Sequence, residues 1–111
     1  MCVEEFISKY NFHDSLIDDV TFDVASKQVL MRVNFAYWKQ EWYNEDTAET
    51  GPLTIIFKGV SQFVCPDDVT WEQISIIQAS IEDDSINFAL MNDITDAYLD
   101  MIIKCNTITV N

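Results

Sequence analysis

A chain of 111 residues, 49% hydrophobic and 13% aromatic, can remove about two thirds of its unfolded surface from water, so it needs no disulfide staple and is no disordered segment. Nineteen acids against six bases leave a net charge of −13, a field that disfavours nucleic acid and anionic lipid surfaces and attracts basic proteins. The imbalance deepens along the chain, from ten acids and five bases in residues 1–58 to nine acids and one base in residues 59–111.

The N-terminal "MCVEEFISKY" carries two glutamates where a secretory signal carries basic residues, and no apolar run approaches the roughly 18 residues of a membrane span. A single cytoplasmic domain over 1–111 is therefore expected. Within this segment Val3, Phe6, Ile7 and Tyr10 form one helical stripe, with Glu4 and Glu5 at the positive end of the dipole, which predicts a short amphipathic helix. "YNFHDSLIDDV" follows, with the only histidine, His13, next to Asp14. It reads as a junction in which Phe12 enters the core, Asp14 and Ser15 bond local backbone, and His13 closes the turn into the first strand.

The period then changes to two. Val20, Phe22 and Val24 face one way in "DVTFDV", and Val29, Met31, Val33, Phe35 and Tyr37 alternate with Leu30, Arg32, Asn34, Ala36 and Trp38. The polar break "ASK" between the two runs makes them a β-hairpin. "KQEWYNEDTAETGP" is an acidic loop closed by Gly51 and Pro52. "PLTIIFKGVSQFVC" is one strand containing Phe57, or two separated by a kink at Gly59. In "PDDVTWEQI", Thr70 and Gln73 have the spacing of a capping box, which predicts a single helical turn. "ISIIQASI" and "SINFAL" flank the turn "EDDS", and "NDIT" precedes a last run, "AYLDMIIKCNTITV", irregular near Cys105. The sum is a mainly β, α+β fold: an antiparallel sheet or two-layer β-sandwich of six to seven strands with a short N-terminal helix.

Catalytic signatures are weak. The two glycines stand eight residues apart without a following Lys-Ser or Lys-Thr, which removes phosphate-cradling loops. Cys2, Cys65 and Cys105 are an odd number with no CxxC spacing, so neither a disulfide framework nor a zinc knuckle is expected. A hydrolase built on Cys65 and His13 is a remote alternative, because neither Cys65 nor Cys105 sits where its thiol would be activated. One histidine cannot assemble the several histidines of a His-Asp metallohydrolase. No acidic run has the alternating ligands and central glycine of a calcium loop. No metal and no cofactor are expected.

The aromatic and acidic stretch is a better candidate. Trp38, Glu41, Trp42, Tyr43, Glu45, Asp46 and Glu49 fall within twelve residues, with Lys39 the nearby cation. Aromatic anchors among carboxylates suit a basic protein partner. In the competing arrangement Trp42 and Tyr43 extend the preceding strand and pack against Phe57 or Trp71, leaving a merely charged loop.

"FHDSLIDDVTFD", "GPLTIIFKGVSQF" and "MIIKCNTITV" together resemble small bacterial domains that open with a Phe-His-Asp-Ser/Ala strand, carry a Phe-x-Gly-Val strand in mid-chain and close on a C-terminal strand. Members of that group are immunity proteins of polymorphic toxin systems or are uncharacterised. The similarity spans residues 10–110, and Tyr10 and Asn11 stand where the immunity members have Trp-Pro. The resemblance implies a structural role for Phe12, His13, Asp14, Ser15, Phe57 and Gly59, and neutralisation of a cognate toxin by direct binding. The expectation is thus a non-enzymatic acidic protein-binding module, monomeric or homodimeric, with a basic protein partner and no nucleic acid or membrane. A stand-alone structural or housekeeping domain is the alternative.

Overall fold

In the computed structural model, which describes residues 1–44, 46, 48–66, 71 and 73–111, the N-terminal stripe becomes α1 (Val3–Lys9). It buries Val3 and Phe6, with Ile7 and Tyr10 partly covered. Eight strands follow among the described residues: β1 (Leu16–Asp23), β2 (Gln28–Ala36), β3 (Thr50–Lys58), β4 (Gln62–Val64), β5 (Ile74–Glu82), β6 (Ser85–Asn92), β7 (Tyr98–Lys104) and β8 (Thr107–Val110). All belong to one antiparallel sheet in the order β4-β7-β6-β5-β1-β2-β3-β8.

The count of eight, against the six to seven expected, comes from two kinks. Gly59 adopts a φ of +65° between β3 and β4, where a Cβ would meet the Asn106 side chain. Cys105 and Asn106 break the partner run between β7 and β8. Backbone bonds from Asn106 N to Lys58 O and from Ser61 N to Lys104 O, both 2.9 Å, carry the pairing across the two breaks. β4 and β8, the ends of the order, are therefore continuations of β3 and β7.

The sheet is strongly curled. β3 and β6 are four places apart in the order, about 19 Å in a flat sheet at ordinary strand spacing, yet the rings of Phe57 and Phe88 lie 6.2 Å apart. One sheet thus supplies both layers of the core. The inward residues are those with period two: Val29, Met31, Val33 and Phe35 from β2, Ile55 and Phe57 from β3, Ile86, Phe88 and Leu90 from β6, and Met101 and Ile103 from β7, all buried. α1 and Phe12 cover this concave face, with Phe12 in ring contact with Phe6, Phe35 and Phe88 at 5.3, 5.3 and 6.0 Å.

β1 departs from its expected pattern. A register shift between Ile17 and Asp19 interrupts the alternation, and of the expected stripe Val20 is half-buried, Phe22 is more than a third exposed and Val24 lies in the turn at 73% exposure. Phe22 finds its partner in Phe63 of β4, 5.2 Å away. In the turn itself the Asp23 carboxylate is held below its ordinary pKa by hydrogen bonds from the Ser26 hydroxyl and amide. The acidic loop is shorter than expected, because β3 begins at Thr50 and takes in Gly51 and Pro52. Pro52 is tolerated there because the C-terminal chain pairs with β3 only as far as Thr54, which exchanges backbone bonds with Asn111, so the missing N–H two residues earlier faces an open edge. The expected helical turn over "PDDVTWEQI" falls largely outside the described residues. No helix among the described residues is long and apolar enough to cross a membrane.

Burial pushes the Cys105 thiol up to about 11, whereas Cys2 is exposed. At mildly alkaline pH a raised thiol holds less thiolate and burial limits its access, so iodoacetamide is expected to modify the exposed Cys2 at least about tenfold faster than Cys105 in the native protein. Unfolding in urea is expected to abolish the difference. Peptide mass mapping of a labelling time course checks this, and equal native rates would contradict the buried kink.

Candidate functional site

The aromatic stretch is organised by a buried glutamine. Gln40 is 8% exposed; its Nε2 donates to Asn11 O at 2.7 Å and Ala36 O at 2.9 Å, and its Oε1 accepts from Asn11 N at 3.1 Å. These bonds tie the single 3-10 turn Tyr37–Lys39 to the segment after α1. On the other arm of the loop, Trp38 N donates to Glu49 O at 3.2 Å.

The side chains projecting from this frame are held from behind. Phe35, Tyr37 and Trp42 form a relay of rings at 6.1 and 5.3 Å that runs from the core to solvent. Tyr37 fits only because residue 51 is glycine, where a Cβ would overlap its ring. Trp42 is 56% exposed and Trp38 43%, with the Lys39 ammonium 4.6 Å over the Trp38 ring, a cation–π contact. Trp42 therefore does not pack against Phe57 or Trp71; Phe57 sits in the core against Phe6 and Phe88.

Of the acids, Glu41 borders one groove with Trp42. Glu41, Asp46 and Glu49 are exposed, and Tyr43 is half-buried. Glu45 lies outside the described residues. Lys39 is not the only cation near them: Lys9, at the end of α1, lines a groove of about 220 Å³ with Lys39, Glu41 and Trp42. Sequence spacing gave no sign of Lys9, Tyr37, Gln40 or Gly51, because each acts through a contact made only on folding.

Phe12 to Ser15 form a type II-like turn. Ser15 N donates to Phe12 O at 3.0 Å, and Asp14 has a φ of +66°. The bonds reach further than the local ones expected. Asp14 N donates to Ile76 O at 2.9 Å, and the buried Ser15 Oγ accepts from Ala36 N at 2.9 Å. His13 Nδ1 lies 2.7 Å from Ile77 O; since a carbonyl can only accept, Nδ1 carries the hydrogen. Ile77 is the extra residue of a bulge in β5, so His13 satisfies a carbonyl that the ladder leaves over. Its Nε2 lies 3.5 Å from Asp14 Oδ1, and Lys39 Nζ lies 3.9 Å from Asp14 Oδ2. The Lys39–Asp14 pair is partly exposed and worth a few tenths of a kcal/mol, about what surface pairs contribute. His13 is a bulge cap. Among the described residues no group of three or more His, Cys, Asp or Glu side chains is placed to hold a metal.

Comparison of the chain with protein-family models, with curated proteins and with solved structures gives no match.

Proposed function

We propose that the protein is a non-enzymatic, acidic protein-binding module of the cytoplasm that acts as an immunity protein, covering a basic toxin through the Trp38–Trp42 face. The observation that carries the reading is the pair of tryptophans, 43% and 56% exposed, on a loop braced by the buried Gln40 and Tyr37's slot at Gly51. Exposing two large rings costs solubility, and buried aromatic anchors are what protein hot spots use. The net charge of −13 would steer a basic partner to this face and would make association slow as salt is raised. The Phe-His-Asp resemblance is the ground for the choice of a toxin as that partner.

The test compares capture of the toxin encoded beside the gene by the tagged wild-type protein and by a variant combining Trp42→Ala, Glu45→Ala and Asp46→Ala. Truncating a hot-spot tryptophan is expected to remove about 2–4 kcal/mol of binding, a loss of roughly 30- to 1,000-fold. Rescue of growth under toxin expression should fall in parallel. Unchanged capture by the variant would remove the docking face from consideration, and no protection by the wild type would remove the immunity assignment.

A further inference from the structure

One edge of the sheet keeps a stretch of strand with limited pairing among the described residues. β5 and β6 are joined by a two-residue turn at Asp83 and Asp84, both with positive φ, 49° and 66°, so Glu82 and Ser85 face each other as a hydrogen-bonded pair. Alternation then aims the N–H and C=O groups of Ala79 and Ile81 away from β6. On that side β5 pairs with β1 only through Ile74 and Ser75. Ile76 is taken up by Asp14 and Ser15, and the Ile77 carbonyl by His13. Beyond them the Ala79 and Ile81 backbone groups have no hydrogen-bond partner among the described residues. A groove of about 380 Å³ runs along this stretch between Ile77 to Ala79 and the Ile7 to Tyr10 end of α1. Past Ile81 the turn residues Asp83 and Asp84 are exposed, while the Glu82 carboxylate accepts from Asn87 Nδ2 at 3.2 Å and, with Asp83, borders a separate groove that holds Lys104.

We infer that this edge binds an extended segment of a partner protein, added as a further strand beside Ala79 and Ile81. Two N–H and two C=O groups on alternate residues are matched by the backbone of an extended polypeptide. The flanks select its side chains: an apolar residue for the groove by Ile7 and Tyr10, and a lysine or arginine toward the exposed acidic turn at Asp83 and Asp84. Charge decides against a second copy as the occupant, because that would oppose two chains of net charge −13. The edge uses none of the residues of the Trp38–Trp42 face, so the two surfaces fail or hold separately.

The probe is a blocked hexapeptide of alternating valine and lysine, with a twin N-methylated at every residue so that it cannot donate to a strand. Each is titrated to millimolar concentration into isotope-labelled full-length protein, and backbone amide shifts and hydrogen exchange are read. With the plain peptide the exchange of Ala79 and Ile81 amides is expected to slow at least about tenfold. The twin should leave them unchanged. Ile81→Pro, which deletes one outward N–H, should lose the effect, and Trp42→Ala should retain it. No change at these two amides, an equal effect from the twin, or protection that grows with protein concentration alone overturns the inference. The two-peptide comparison on the wild-type chain stands even where Ile81→Pro does not fold.

Discussion

Phe12→Ala is expected to lower unfolding free energy by about 3–5 kcal/mol, the cost of truncating a buried phenylalanine whose site cannot collapse. Phe12 is 2% exposed and its ring meets those of Phe6, Tyr10, Phe35 and Phe88. It is the point where α1, β2 and β6 share one side chain, so the cavity would be lined by elements that cannot all move inward. Its neighbours in the same turn grade downward from there. Ser15→Ala leaves the buried Ala36 N–H without its acceptor, for about 1–3 kcal/mol. His13→Ala removes one partly exposed hydrogen bond to the bulge carbonyl, for about 1 kcal/mol. Urea unfolding monitored by tryptophan fluorescence measures all three. The order Phe12, Ser15, His13 is the diagnostic result, since a reaction centre would instead show its largest loss at His13 in turnover, with stability unchanged. A Phe12→Ala cost below about 1 kcal/mol would contradict its place at the centre of the core.

Gly59→Ala is expected to cost about 2–5 kcal/mol. An L-residue at a φ of +65° pays about 1–2 kcal/mol for the left-handed conformation. The new Cβ would stand 2.5 Å from Asn106 Nδ2 and 2.9 Å from its Cγ, and forcing that side chain aside adds a further overpacking cost of about 1–3 kcal/mol. For a chain of this length the sum lowers Tm by roughly 10–20 °C, read by differential scanning calorimetry. Combining Gly59→Ala with Asn106→Gly separates the two contributions, because it clears the space and leaves the backbone conformation unrelieved. Partial recovery in the double variant is the expected result. No recovery would mean that the two kinks are not in contact.

Much of the β architecture is legible from local spacing. The helical stripe of Val3, Phe6, Ile7 and Tyr10, the alternation from Val29 to Phe35, the "EDDS" turn and the interruptions at Gly59 and Cys105 all appear where their residues place them. Each of these signals is carried by neighbours a few residues apart, and backbone geometry alone converts it into a helix, a strand or a break. β1 is the instructive departure: its alternation is regular in the letters, but the register shift after Ile17 and the limited pairing with β5 carry Phe22 and Val24 out of the core.

The candidate site is legible in its chemistry and not in its geometry. Trp38, Glu41, Trp42 and Asp46 are visible as an aromatic and acidic cluster, while the exposure of the two rings depends on Gln40 reaching Asn11, 29 residues earlier, and on Tyr37 occupying the space at Gly51. His13 shows the same division.

The sequence by itself determined that this is an acidic, mainly β chain with a short leading helix, because composition and short-range periodicity are properties of neighbouring residues. Only the tertiary structure decided that the sheet curls onto itself, that His13 caps Ile77 across 64 residues, and which tryptophans and which strand edge face solvent. Those outcomes follow from the closing of distant segments against one another, where a single bulge or kink reassigns every side chain beyond it.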